Sequence, residues 1–175
     1  LEDSRVELVL NDGRNHILLA PEERWDIVVS EPSNPWITGV SNLFTKEFWE
    51  MGATKLKPGG IWSQWVQLYG MAPDDLRSLL ATFGSVFEHV RIFATIEDSD
   101  LVLLGSQEPL EFDIEQANEL FSLPALQEEF RAIEVETPYE LLVFYRMDQD
   151  GVAKVSEGHE LNTDDNMRVE YSAPK

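Results

Sequence analysis

The chain has 175 residues, of which 43% are hydrophobic, and it carries 13 Lys and Arg against 33 Asp and Glu, a net charge of −20. This composition is that of one globular domain, and the absence of cysteine excludes disulfides, thiolate catalysis and cysteine-ligated zinc. So strong a negative charge disfavours nucleic acid and anionic lipid as partners, and no apolar run approaches the length of a membrane span. We therefore expect a cytoplasmic protein whose present segment contacts no membrane.

The first part of the chain alternates between strand and helix patterns. Short apolar runs that stop at turn residues predict the strands, and capping residues followed by apolar positions at helical spacing predict the helices. Strands are predicted at 5–10, 25–30, 61–68, 90–96 and 101–104, and helices at 14–20, after Thr45 and from Pro73. This order predicts an α/β sheet, mostly parallel, with an antiparallel pair at its end.

The composition becomes acidic after Gly105. Ten acidic residues and one basic residue lie between positions 107 and 143. We expect helices at 113–122, 126–133 and 138–147, and an irregular tail with one short strand at 168–171. The chain is therefore divided into residues 1–106, an α/β unit, and residues 107–175, an acidic helical appendage and tail. A solvated charged surface explains the acidic segment most simply, and a surface for a basic partner is the alternative.

Carboxylates follow two of the predicted strands. Asp12 lies beside Gly13 after the first strand, and Glu31 follows the second. Ligands of open α/β sheets bind beyond the carboxyl ends of the strands, so both residues are candidates for a site. Asp12 and Gly13 could instead form only a turn that caps the next helix. Glu31 could transfer a proton or hold a cation, or it could be a loop residue in solvent.

Few other side chains suggest chemistry. Trp36 lies in the loop after the second strand, where it could form the wall of a pocket. His16, His89 and His159 are scattered without carboxylates at ligand spacing, so we predict no metal site. The sequence contains neither a Ser-His-Asp arrangement nor a glycine-rich phosphate loop.

Four stretches, taken in order, resemble the spermidine synthase (polyamine aminopropyltransferase) family, and bacterial spermidine synthase-like members above all. They are 6–14 (VELVLNDGR), 25–35 (WDIVVSEPSNP), 39–48 (GVSNLFTKEF) and 56–61 (LKPGGI). The resemblance covers roughly residues 5–105, and segment 162–166 (NTDDN) is similar to the end of such catalytic domains. Some members of this group are fused to membrane segments, which would then lie outside this chain.

The resemblance implies a Rossmann-like methyltransferase sheet and the transfer of an aminopropyl group from decarboxylated S-adenosylmethionine to a polyamine such as putrescine. It implies that Asp12, with Gly13 beside it, contacts the adenine amine of the donor. Glu31 takes the place of the family's catalytic aspartate, and Asn34 that of a second aspartate. Asn34, Trp36 and Gln64 are assigned to substrate binding. The donor, or S-adenosylmethionine itself, is a co-substrate, and no tightly bound cofactor is expected.

Three departures from the family pattern affect this interpretation. Glu replaces Asp at position 31, and Asn34 lacks a negative charge that a diamine would use. The glycine-rich nucleotide loop and the first two strands of the family sheet are absent, so the chain resembles the C-terminal part of a catalytic domain and is expected to be inactive by itself. The strand at 5–10 must then pair with another strand, be supplied by a second copy of the chain, or stay unpaired, and an unpaired edge favours a homodimer or strand exchange.

Two other functions remain open at this point. One is a methyltransferase that uses S-adenosylmethionine to modify a small substrate. The other is a degenerate, non-catalytic domain whose acidic segment binds a basic partner.

Overall fold

The structure is a computed structural model, and it describes residues 3–95 and 99–172. Seven α-helices and five strands occur in these ranges, together with 3-10 helices at Ser41–Leu43 and Pro138–Phe144. In chain order the elements are α1 (Gly13–Leu19), β1 (Trp25–Ser30), α2 (Lys46–Ala53), β2 (Leu56–Gln67), α3 (Pro73–Val86), β3 (His89–Ala94), β4 (Asp100–Ser106), α4 (Ile114–Phe121), α5 (Pro124–Ala132), β5 (Tyr145–Asp148), α6 (Gln149–Val155) and α7 (Arg168–Ser172).

The five strands form one open sheet in the order β1-β2-β4-β3-β5. β1 and β2 are parallel, and the remaining three pairings are antiparallel. Three strands, β1, β2 and β3, therefore run in one direction, whereas β4 and β5 run in the other. The predicted α/β class is confirmed, with most strands running in one direction and an antiparallel end. The antiparallel pairings arise because β4 returns from β3 and inserts between β3 and β2.

An aromatic core joins the helices to one face of the sheet. Trp62 and Val66 of β2 are fully buried on this face, together with Trp49 of α2 and Phe83 of α3. The Trp49 and Phe83 rings meet edge to face, with centroids 5.1 Å apart. Large aromatic side chains bury much apolar area, so this cluster fixes α2 and α3 against the centre of the sheet.

Residues at the N-terminal ends of these two helices determine where the helices begin, as the sequence predicted. The Thr45 side chain accepts a hydrogen bond from the backbone N–H of Phe48 and so caps α2. Pro73 opens α3, and Asp74 and Asp75 lie in its first turn. Acidic residues there interact favourably with the positive end of the helix dipole.

The opposite face of the sheet is less covered at β1. Ile27 and Val29 of this strand are 61% and 68% exposed. The predicted strand at 5–10 was wrong, because within the described residues this segment pairs with no strand and its Leu10 is fully exposed. A strand needs a neighbour for its backbone groups, and no described strand lies beyond the outer edge of β1 to supply one.

The structure after residue 106 differs from the prediction at 138–147, at α6 and at 168–171. The helices α4 and α5 lie where helices were predicted. The predicted helix at 138–147 is instead a 3-10 helix followed by β5, which pairs with the free edge of β3. The helix α6 was not predicted.

The predicted strand at 168–171 is the helix α7. Two side chains that precede it determine this conformation. Asn166 Oδ1 accepts a hydrogen bond from the Arg168 N–H, and Asn162 Oδ1 accepts one from the Val169 N–H. These contacts satisfy backbone donors at the start of the helix, which a sheet neighbour would otherwise have to satisfy.

The boundary proposed at residue 106 stays a prediction, although β5 and α6 beyond it pack against β3 and α3 before it. The end of the predicted strand at 90–96 lies partly outside the described residues, because residue 96 is not among them. A search of the described ranges for a helix with the length and apolar character of a bilayer span finds none.

The close approach of α2 to the sheet generates a stability prediction. A Cβ added at Gly52 would lie 2.3 Å from Cζ3 of Trp62. Because the surrounding core is full, we expect Gly52→Ala to lower the free energy of unfolding by about 1 to 3 kcal/mol. Urea denaturation measures this difference. Gly13→Ala is the matched control, since a Cβ there meets nothing within 4 Å; equal stability of the two variants would contradict the packing.

Candidate active site

The candidate site lies at the edge of the sheet where β1 and β2 end. A long loop, residues 31–45, leads from β1 to α2, and we call it the acceptor loop. Glu31 is its first residue and is exposed. Among the described residues, the Glu31 carboxylate has no hydrogen bond or ion pair, so both its oxygens are accessible to a ligand. Asn34 and Trp36 follow in the same loop, and both are half-buried.

Asp12 forms the N-cap of α1. Its Oδ1 accepts a hydrogen bond from the Asn15 N–H at 2.8 Å. The capping role considered from the sequence is therefore present, and it leaves Oδ2 as a further acceptor. The position of Gly13 is open, since an added Cβ would meet no atom within 4 Å. A flat ring could approach the backbone here.

The start of α1 and the acceptor loop lie at the same edge of the sheet. Arg14, which follows Gly13 in α1, donates a hydrogen bond from Nη1 to the Asn42 carbonyl at 2.6 Å. Asn42 lies near the end of the acceptor loop, so this hydrogen bond ties the start of α1 to the loop that begins with Glu31.

Gln64 of β2 is buried, and its amide is used inside the protein. Its Oε1 accepts hydrogen bonds from the indole N–H groups of Trp49 and Trp62, at 3.0 and 3.3 Å. Its Nε2 donates to the carbonyl oxygens of Ser30 and Trp65, at 3.3 and 3.1 Å. Ser30 immediately precedes Glu31. The structure thus places Gln64 in the core, where its amide holds the end of β1, and its assignment to substrate binding stays a prediction.

A group of polar side chains at the same edge was missed by the sequence analysis. Gln67 is fully buried at the end of β2 and lies directly opposite Asp100 of β4. Among the described residues, no hydrogen-bond partner is present for four buried atoms: both polar atoms of the Gln67 amide, Oδ1 of Asp100 and Oγ1 of Thr95. Buried polar groups without partners are costly, so this cluster is suited to bind a polar ligand.

The signal for this cluster was weak in the sequence. Gln67 is a polar residue at the end of an apolar strand, but Asp100 is 33 positions away, between the strands predicted at 90–96 and 101–104. Only the antiparallel register of β2 and β4 brings the two together. Across residues 3–95 and 99–172, no three or more His, Asp or Glu side chains are grouped so that they could hold a metal ion.

Residues 1–97 match the sequence model of the spermine/spermidine synthase domain. The chain is 30% identical over 86 residues to putrescine N-methyltransferase 2 of Nicotiana tabacum, a match that covers 49% of this chain and 24% of that protein. It is 32% identical over 97 residues to a polyamine aminopropyltransferase of Synechococcus sp., with 53% of this chain and 30% of that protein covered.

A solved structure has the same fold. The crystal structure of a spermidine synthase in complex with the transition state analogue AdoDATO superimposes with a TM-score of 0.68 at 16% identity, covering 89% of this chain and 52% of that chain. The Rossmann-like methyltransferase sheet is thereby confirmed as the fold. The chain spans about half of that structure and less than a third of the two relatives.

The position of Gln64 generates a second stability prediction. Gln64→Leu keeps the volume of the side chain but removes the oxygen that accepts hydrogen bonds from the indole N–H groups of Trp49 and Trp62. Because each unsatisfied buried polar group costs about 1 to 3 kcal/mol, we expect a loss of roughly 2 to 5 kcal/mol in the free energy of unfolding. Chemical denaturation followed by tryptophan fluorescence measures it. Val66→Leu, a change in the same strand and core that removes no hydrogen bond, is the comparison; a smaller loss for Gln64→Leu than for this variant would contradict the role.

Proposed function

The chain belongs to the spermine/spermidine synthase family, and we propose that its protein transfers an aminopropyl group from decarboxylated S-adenosylmethionine to a polyamine such as putrescine. The observation that carries the proposal is the accessible carboxylate of Glu31, which follows the edge strand β1 inside the matched region, at the end of the sheet where α1 and its N-cap Asp12 begin. The complex of a structurally similar spermidine synthase with a transition state analogue supports the same reaction.

The chemistry requires an amine that has lost a proton. The free amine of the acceptor attacks the aminopropyl carbon bound to the sulfonium of the donor. A carbon–nitrogen bond forms, the carbon–sulfur bond breaks, and its electron pair stays on sulfur in methylthioadenosine. Glu31 takes the proton that the attacking nitrogen gives up, because a carboxylate within hydrogen-bond reach can act as a general base. Its exposure at the end of β1 gives an amine access.

The donor would be bound at the start of α1. Oδ1 of Asp12 is committed to the Asn15 N–H, which fixes the carboxylate, while Oδ2 can accept a hydrogen bond from the exocyclic amine of adenine. Gly13 gives the ring room to approach the backbone. These contacts would orient the nucleoside, and further donor contacts would come from outside the 175 residues.

The acceptor would extend from Glu31 toward the cluster of Gln67 and Asp100. Ser30 pairs with Gln64, so Asp100 lies two residues further along the sheet than Glu31 and two strands across, roughly 12 Å between backbones. Asn34 and Trp36 lie in the loop beside this path. Asp100 would supply the negative charge that Asn34 lacks, and it would hold the ammonium group far from the reacting amine.

The proposal includes three further points that stay predictions. The protein acts in the cytoplasm, on small-molecule substrates. Residues 107–175 form an acidic appendage to the catalytic unit. The unpaired edge of β1 provides a surface for a homodimer or for strand exchange.

The central test is Glu31→Gln in the full-length protein. We expect kcat to fall by about 10² to 10⁴, since the variant keeps the shape of the side chain but cannot accept the proton. Methylthioadenosine formed from decarboxylated S-adenosylmethionine and putrescine is measured by chromatography. Glu22→Gln is the control, because Glu22 is exposed in the loop before β1, away from the site.

Two results would oppose the proposal. Wild-type protein that yields S-adenosylhomocysteine from S-adenosylmethionine, and no methylthioadenosine, would identify a methyltransferase. Wild-type protein that yields neither product with any polyamine would favour a non-catalytic domain.

Asp100→Asn tests the path of the acceptor. We expect the KM for a diamine to rise roughly tenfold or more, because a hydrogen bond to a charged partner is lost, while kcat changes little. A monoamine acceptor, which has no second ammonium group, should show no such rise. Asp150→Asn, a change to an exposed carboxylate at the start of α6, is the control. Equal effects on diamine and monoamine would place the distal ammonium group elsewhere.

A further inference from the structure

The acceptor loop is held in place by the C-terminal segment, residues 160–172. The most direct contact is the Glu170 carboxylate of α7. Its Oε1 accepts a hydrogen bond from the Thr38 hydroxyl at 2.9 Å, and its Oε2 accepts one from the Ser41 hydroxyl. One carboxylate thus holds two points of the loop, and Ser41 is buried beneath it.

A second contact fixes the end of the loop. Asn162 is fully buried, and its Nδ2 donates to the Phe44 carbonyl at 2.9 Å. The carbonyl of Asn162 accepts a hydrogen bond from the Lys46 N–H, also at 2.9 Å. Asn162 therefore replaces, on both sides of Thr45, the backbone partners that a regular element would supply.

A third contact joins the C-terminal segment to the donor side. Arg14 Nη1 and Nη2 donate to Oδ1 and Oδ2 of Asp164, at 2.9 and 2.5 Å. The same Nη1 donates to the Asn42 carbonyl of the acceptor loop. Arg14 follows Gly13 directly, so one guanidinium links the start of α1, the loop and the C-terminal segment. Two parallel hydrogen bonds between a guanidinium and a carboxylate fix the relative orientation of the two groups as well as their separation.

The Asp164 carboxyl group, which pairs with Arg14, is ionised at neutral pH. Burial by itself raises the pKa of Asp164, but the hydrogen bonds from Arg14 and Thr45 and the charge of Arg14 outweigh it, so the pKa lies below its ordinary value of 3.8. A lowered folded-state pKa contributes stability that is present above that ordinary value. The contribution is lost as the pH falls through the folded-state pKa, well below neutrality.

The segment is itself ordered by side-chain contacts. Asn166 Oδ1 accepts a hydrogen bond from the Thr163 N–H, and its Nδ2 donates to the Leu161 carbonyl. The Asn162 contact with the Val169 N–H ties the same turn to α7. The groups that touch the loop are therefore presented by a preformed turn and helix.

We propose that residues 160–172 are a positioning clamp that sets the acceptor loop, and with it Glu31 and Asn34, relative to the donor side. Glu170, Asp164 and Arg14 are its positioning residues. Small displacements of a reacting group cost large factors in rate, so the clamp determines how well the amine is aligned. The expected effect of the clamp on the reaction rate rests on the proposed function, whereas its expected effect on the mobility of the acceptor loop does not.

Hydrogen–deuterium exchange tests the mechanical part on the full-length protein without any substrate. The amides of Val40, Ser41, Leu43 and Phe44 are hydrogen-bonded within the loop and should be protected. We expect Glu170→Ala and Asp164→Ala to speed their exchange at least tenfold, while exchange of the core amides of β2 stays near wild type. Glu170→Gln keeps one acceptor oxygen and should give an intermediate rate. Asp165→Ala is the matched control, since the neighbouring Asp165 is exposed and has no hydrogen bond among the described residues.

Unchanged exchange in the loop for both clamp variants would overturn the proposal. Faster exchange throughout the protein would also overturn it, because it would show a general stabilising role. The kinetic part is measured with Glu170→Ala, for which we expect a lower kcat and a higher KM for the amine, with the KM for the donor unchanged. If the clamp variants open the loop but the wild-type protein forms no methylthioadenosine, the clamp is retained and the aminopropyl transfer is refuted.

Discussion

The buried amide of Gln64 is the interaction on which the arrangement of the site depends. It satisfies two indole N–H groups of the aromatic core and at the same time holds the last carbonyl of β1. Without it, the tryptophans could remain buried only with unpaired donors, and the end of β1 would lose its link to the core. A polar side chain inside the core thus fixes the position of Ser30, the residue that directly precedes the acceptor loop.

The sheet has two unlike faces. On one face, α2 and α3 cover a dense aromatic cluster, and glycines at positions 52 and 105 let rings and backbone approach closely. On the other face, apolar residues of β1 are exposed, and within the described residues the Gln67 amide and Oδ1 of Asp100 lack hydrogen-bond partners. The stability of the unit therefore comes mainly from the covered face, whereas the other face and the carboxyl edge hold the groups that can still bind.

The charge distribution supports the proposed cationic substrate. A net charge of −20 produces a negative potential around the molecule, which would attract a polyamine and favour its encounter with the proposed site. Selectivity requires local groups in addition, and Glu31 and Asp100 are carboxylates at positions that an extended amine could join. The clamp adds a mechanical element, because it ties the loop with Glu31 to the helix that follows Asp12.

The sequence by itself located the α-helices and strands of the first 106 residues, because capping at Thr45 and Pro73 and the apolar spacing of α3 are local properties. The exceptions are segment 5–10 and the start of β2, which begins at Leu56 and not at residue 61. The sequence also placed Glu31 at the end of β1, whereas the strand expected before Asp12 does not form. Tertiary structure alone decided that 5–10 forms no strand, that 168–171 is a helix and that Gln64 lies in the core. The same holds for the pairing of Gln67 with Asp100 and for the contacts of Glu170. The conformation of 168–171 depends on side-chain hydrogen bonds from Asn162 and Asn166, which apolar spacing does not reveal. The other cases depend on groups that are distant in the chain, and local spacing contains no information about which distant groups will meet.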